Sequence, residues 1–113
     1  MDKDHFIFLK QVLSSIGTLD VEVTGYSMWP VLKDGEMVEI EKIAPQDIRR
    51  FDILVFHDSE GLVCHYVWKI EKEQLMCRSL CFNELDVVSD DSVLGRLKNK
   101  KLSWGRKLWC RWI

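Results

Sequence analysis

No stretch of this chain approaches the ~18 to 20 consecutive apolar residues of a membrane-spanning helix, and none reads as a secretory leader. Asp2, Lys3 and Asp4 supply no positive flank, and no cleavage site follows them. The expectation is a chain that stays in the cytoplasm. Cysteine is sparse: Cys64, Cys77, Cys81 and Cys110 are the full set. Cys77 and Cys81 stand at C-x3-C, but only one further Cys follows and no His at ligand spacing, whereas a structural zinc needs four ligands. Four unlinked thiols fit a reducing compartment, and nothing else resembles a small disulfide-stapled module. No metal or organic cofactor is expected. There is no internal repeat, no low-complexity linker and no DNA-binding motif.

Acidic residues are missing from one region altogether. Residues 96–113 carry seven basic side chains (Arg96, Lys98, Lys100, Lys101, Arg106, Lys107, Arg111) and no acid. The whole chain has sixteen basic and eighteen acidic residues, so residues 1–95 hold nine and eighteen, a net of −9. An acidic body with a basic tail gives no nucleic-acid signal for the body.

What is present reads as one globular domain spanning 1–113, 47% hydrophobic and 30% charged, long enough to bury a core without staples. Phe6, Leu9, Leu13 and Ile16 recur at helical spacing in residues 4–16, and Gly17 can end that helix. From there to about residue 97 the texture is that of strands: 21–23, 36–43, 52–56, 62–70, 74–80 and 92–97. The 52–56 run (DILVF) is apolar without a break after Asp52, as in a strand buried on both faces. Asp58 to Gly61, between two such runs, predicts a hairpin. The fold class is therefore mainly β with a short N-terminal helix. In the tail, 98–113, Trp104, Leu108 and Trp112 lie four apart and predict a C-terminal helix packed on the sheet, although Gly105 weakens it. An interfacial helix touching anionic lipid is the rival reading of the same residues.

One segment carries chemistry: Gly25-Tyr26-Ser27-Met28-Trp29-Pro30-Val31-Leu32. Pro30 fixes its own backbone and biases Trp29 away from helix, and Gly25 permits an unusual angle just before Ser27. The expected product is a tight loop presenting one hydroxyl. A serine hydroxyl needs a base to take its proton as it attacks an amide carbon. An imidazole, with an ordinary pKa near 6.5, can do this at neutral pH and then protonate the leaving amine. His65 sits in the longest strand-like run; His5 and His57 have no motif around them. Lys69, four residues on, is a rival base expected on the same face as His65.

The order of segments resembles the signal peptidase I and LexA-like serine peptidases. G-x-S-M-x-P-x-L followed by Asp34-Gly35-Glu36 is similar to their nucleophile box. Phe51 to Phe56 is similar to their Gly-Asp-Ile-Val-Val-Phe strand, Leu62 to Ile70 to the strand bearing the general base, and Val93 to Leu97 to the closing strand. The likeness covers about residues 20–97. It implies the compact coiled-sheet fold of those catalytic cores, Ser27 as nucleophile and His65 as base, with the base strand of the His type. It implies an oxyanion hole from the Ser27 backbone N–H helped by Gly25, and an acid downstream, best placed at Asp86 with Asp90 and Asp91 behind it. Three segments depart from the pattern: Arg78-Ser79-Leu80 replaces Lys-Gly-Asp, Tyr66 replaces the Arg after the base, and Phe51 replaces the box Gly. The function so implied is a cytoplasmic serine endopeptidase acting on an extended peptide or protein segment, with small residues before the cut. The alternative is a non-catalytic peptide-binding or dimerisation module on the same fold. With about 19 residues before the core, a self-cleaving repressor is the less expected arrangement.

Overall fold

Helix α1 (Lys3–Ile16) forms where the apolar spacing predicts it. Asp4 in its first turn suits the positive end of the helix dipole. Phe6 and Leu13 are buried and Leu9 packs beside them, but Ile16, expected on the same face, is exposed at the helix end. There Gly17 takes φ +95°, a conformation that residues with a Cβ rarely adopt, and its N–H donates to the Leu13 carbonyl at 2.7 Å. The computed structural model describes residues 3–23, 28–29, 31–58, 61–71, 74–80 and 85–101.

Seven strands follow: β1 (Thr18–Glu22), β2 (Met37–Glu41), β3 (Asp52–Asp58), β4 (Gly61–Glu71), β5 (Gln74–Arg78), β6 (Leu85–Val88) and β7 (Val93–Lys101). They make one antiparallel sheet in the order β1-β2-β7-β3-β4-β5-β6. The strands expected from sequence are all present, and β3 and β4 meet in the expected hairpin, with Asp58 opposite Gly61. Two features differ. The 85–88 segment adds a strand, β6, and β7 runs on to Lys101, so residues 98–101 are strand and not the start of a helix. The rest of the expected C-terminal helix lies outside the described residues.

The sheet carries a core on each side. Ile53, Val55 and Tyr66 join Phe6, Leu13, Met28 and Leu32 in one. Leu54, Phe56, Val67 and Cys77 join Ile48, Val88 and Val93 in the other. β3 therefore contributes alternate residues to both, which is why Ile53 to Phe56 are all apolar. Arg96 on β7 ties three strands together. Its Nη2 donates to Glu41 Oε1 on β2 at 2.6 Å, and its Nη1 to Asp52 Oδ2 on β3 at 3.2 Å. Asp52 is buried and also accepts the Arg49 N–H at 2.9 Å, so its charge is matched. Beside it, Phe51 holds φ +74°. This is the position where the resembled box has glycine, and here a ring occupies the left-handed conformation at a cost of roughly 1 to 2 kcal/mol.

Among the described residues no helix is long and apolar enough to cross a membrane.

Candidate active site

His65 lies in the middle of β4, opposite Leu54 of β3. Paired residues in an antiparallel ladder share a face, so His65 turns toward the core of Leu54, Phe56 and Val67. Its exposure is only 3%, and the edge of its ring meets Phe56 at 5.8 Å with planes at 71°. Asp86 is on β6, paired with Cys77 of β5, which is paired with Val67 of β4. Alternation then puts His65, Cys77 and Asp86 on one face. The Asp86 carboxylate spans the intervening strand: Oδ2 stands 2.9 Å from His65 Nδ1.

The chemistry of this bond follows from donor and acceptor roles. An ionised carboxylate can only accept, so Nδ1 carries the hydrogen and donates it. In neutral imidazole the lone pair is then on Nε2. A carboxylate at this distance also stabilises the imidazolium formed when Nε2 takes a proton. The Asp86 side chain is 40% exposed, which spares the ionised form the full cost of burial.

The other expected acids are elsewhere. Asp90 and Asp91 are exposed in a 3-10 turn, Asp90–Ser92, that joins β6 to β7. Lys69 does not share the face of His65. A β-bulge between Val67 and Lys69 inserts one residue and pairs Lys69 with Met76, the neighbour of Cys77 that points to the opposite side. Lys69 is exposed and its Nζ lies 2.7 Å from Glu71 Oε1.

Ser27 and Gly25, the expected nucleophile and oxyanion-hole residues, lie outside the described residues. Their downstream anchors are described. Met28 and Leu32 are fully buried in the first core, with the Leu32 N–H donating to the Met28 carbonyl at 2.9 Å. Behind them, Val23 N–H donates to the Glu36 carbonyl and Gly35 N–H to the Val23 carbonyl. The Met and Leu of the motif thus pin the segment that follows Ser27, while Trp29 between them is exposed.

Two residues near His65 had no role in the site expected from sequence. Ser79 is buried, and it follows Arg78, whose ladder partner is Tyr66. One step along the register places it across from His65. Cys77 has no exposed surface, and burial, with a further push from the Asp86 charge, raises its thiol to about 12. It is a packing residue, not a thiolate nucleophile. Among the described residues, no group of three or more His, Cys, Asp or Glu could hold a metal ion. Cys81, half of the C-x3-C spacing, lies outside those residues.

No protein-family model matches this chain, and no curated protein matches it.

Proposed function

We propose that this chain is a serine endopeptidase with the coiled-sheet catalytic fold of signal peptidase I and LexA, in which Ser27, His65 and Asp86 act as nucleophile, base and orienting acid. The observation that carries the reading is the 2.9 Å bond from His65 Nδ1 to Asp86 Oδ2. It joins two residues 21 apart in sequence across an intervening strand, and it leaves the second ring nitrogen as the basic one. An ordinary strand histidine needs no carboxylate in that position.

In the proposed reaction, Nε2 of His65 takes the Ser27 hydroxyl proton as the oxygen attacks the peptide carbonyl carbon. The backbone N–H of Ser27, helped by Gly25, receives the negative oxygen; losing one such donor costs roughly 100- to 1000-fold in rate. The imidazolium, held by Asp86, gives its proton to the leaving amine as the C–N bond breaks. Water, deprotonated by the same nitrogen, then hydrolyses the acyl-enzyme and restores the serine. An extended substrate would add its main chain to a sheet edge beside the site.

A histidine–carboxylate pair also serves as a plain strand-to-strand clasp, and in that case the chain is a peptide-binding or dimerisation module. A fluorophosphonate probe separates the two. The expected result is one covalent adduct per chain, mapped to Ser27 and absent in Ser27→Ala at unchanged thermal stability. An adduct of equal yield in both proteins, or none in either, removes Ser27 as nucleophile.

A further inference from the structure

We propose that a cleft at the start of β7, between α1 and the two connections β2–β3 and β6–β7, binds a free amino acid with a branched aliphatic side chain. This goes beyond the peptidase reading and does not rest on it.

The cleft has a volume of about 220 Å³ and is walled by three segments of chain. One is α1; the second holds a 3-10 turn, Pro45–Asp47; the third holds the turn Asp90–Ser92. The floor is aliphatic. Leu13, Ile48, Val93 and Leu94 are buried there, and Ile43 is half-buried beside them. Backbone hydrogen bonds set the walls before any ligand arrives. Lys42 N–H donates to the Gly17 carbonyl at 3.1 Å, Ile48 N–H to the Pro45 carbonyl at 3.3 Å, and Ser92 N–H to the Ser89 carbonyl at 3.0 Å. Lys10 Nζ donates to the Asp91 carbonyl at 3.2 Å and so holds α1 against the third wall. A preformed apolar hollow with a few convergent polar groups is the usual form of a small-molecule site. An apolar cavity of ~150 Å³ takes up benzene, so this cleft has room for a short aliphatic side chain and its polar head.

Charge selects the occupant. Asp90 and Asp91 belong to one wall of the cleft and Lys42 to another. Among the described residues, no hydrogen bond or ion pair engages either carboxylate or the Lys42 ammonium. Opposite charges that share a hollow without pairing leave both signs for a ligand. A simple anion would meet the two carboxylates, and a simple cation would meet the lysines. An uncharged hydrocarbon would displace water from these groups and replace none of its hydrogen bonds. A zwitterion matches both signs. Its ammonium donates to the acids and its carboxylate accepts from Lys42. Lys10 helps, because an ammonium has three donors and the Asp91 carbonyl takes one. The floor then receives the side chain. Its volume falls short of the roughly 300 Å³ at which drug-sized sites begin. That favours leucine, isoleucine or valine over a peptide, and no aromatic ring lines the floor to stack on one.

The test is a nuclear magnetic resonance titration of the full chain with leucine, following the backbone amides. Leucinamide, isocaproate and glycine are titrated beside it; they lack the carboxylate, the amine and the side chain in turn. Leucine is expected to shift the amides of residues 42–48 and 90–94 with a Kd of about 1 mM or tighter. Each analogue should bind at least roughly 10-fold more weakly, since each leaves a charge or the floor unmatched. Asp90→Asn/Asp91→Asn and Lys42→Gln alter exposed side chains only. Each should weaken leucine binding by about the same factor at an unchanged melting temperature. Absence of shifts in those two segments, up to the solubility limit of leucine, overturns the proposal. So does leucinamide or leucylglycylglycine binding as tightly as leucine, which would assign the acids to an amine alone. Isocaproate binding as tightly would assign the lysines to an anion alone, and undiminished binding in both variants would place leucine elsewhere; either result also overturns it.

Discussion

The bond between His65 and Asp86 does two separable things, and a conservative substitution divides them. Asp86→Asn keeps size and hydrogen-bonding capacity but loses the charge, and its NH2 group can face Nδ1 only if that nitrogen becomes the acceptor. The lone pair then leaves Nε2. Turnover should fall by up to roughly 10,000-fold with little change in KM, because the missing interaction is one made by the imidazolium. The unfolding midpoint should stay near that of wild type, since the Asp86 side chain is partly solvated. Turnover within a few-fold of wild type would leave His65 without an orienting acid. Cys77, next to Asp86 in the ladder, has the opposite signature. Its thiol is raised from 9.0 to about 12, first by burial and then by the carboxylate. The unfolded chain releases this proton from about pH 9, while the folded chain holds it until about pH 12. Stability is therefore undiminished below about pH 9 and is lost progressively as pH rises toward 12. Denaturant unfolding at several pH values should show a steeper alkaline loss for wild type than for Cys77→Ala. Parallel curves would mean that the thiol is not so shielded.

Among the secondary-structure elements, the close approach of β2, β7 and α1 is concentrated at Gly95. A Cβ there would lie 2.7 Å from the Glu41 carbonyl oxygen and 3.1 Å from Leu13 Cδ2. The first contact is backbone in a paired strand, which cannot turn aside as a side chain can. Gly95→Ala should cost about 1 to 3 kcal/mol and lower the melting temperature by several degrees, read by thermal circular dichroism. An unchanged melting temperature would show that β2 can shift without loss. Elements also show what the sequence made legible. α1 and β3 were readable because their patterns are complete: a helical stripe closed by Gly17, and an apolar run that serves two cores. β6 was not, because Leu85 and Val87 are exposed and only Val88 is fully buried, so no buried stripe marks it. Asp86 could be proposed by likeness, but its reach to His65 depends on β6 pairing with β5, a non-local fact. The side of Lys69 was misread for a related reason. Period-two counting assumes an unbroken strand, and the bulge after Val67 reverses the face. The left-handed backbone at Phe51 was legible only as a departure from a glycine, with no sign of the ring cluster that holds it.

At the scale of the molecule, strand order and chain order disagree at one place, and the fold depends on it. β3, β4, β5 and β6 form a meander of neighbours in sequence, and β1 pairs with β2. In the hydrogen-bonded strand order the two groups are joined by β7, which lies between β2 and β3 and supplies the Arg96 clasp to Glu41 and Asp52. Until residues 93–101 arrive, β2 and β3 each present an unpaired edge, and Leu94 and Leu97 are missing from the first core. Ordering a long loop before its contacts form makes such closure slow, on the millisecond-to-second scale of β-rich domains. It also makes folding all-or-none with respect to β7. A chain ending at residue 92 should therefore show no cooperative thermal transition, and should expose apolar surface to a dye such as ANS. A chain ending at residue 101 keeps the Asp52–Lys101 pairing and should unfold in a single sharp transition. Ending at residue 97, where the apolar pattern stops, should give an intermediate midpoint, because β3 then lacks its partner at Asp52. If the chain cut at 92 melts cooperatively, the β3-to-β6 meander is a folding unit in its own right, and β7 is an addition to the fold, not the strand that closes it.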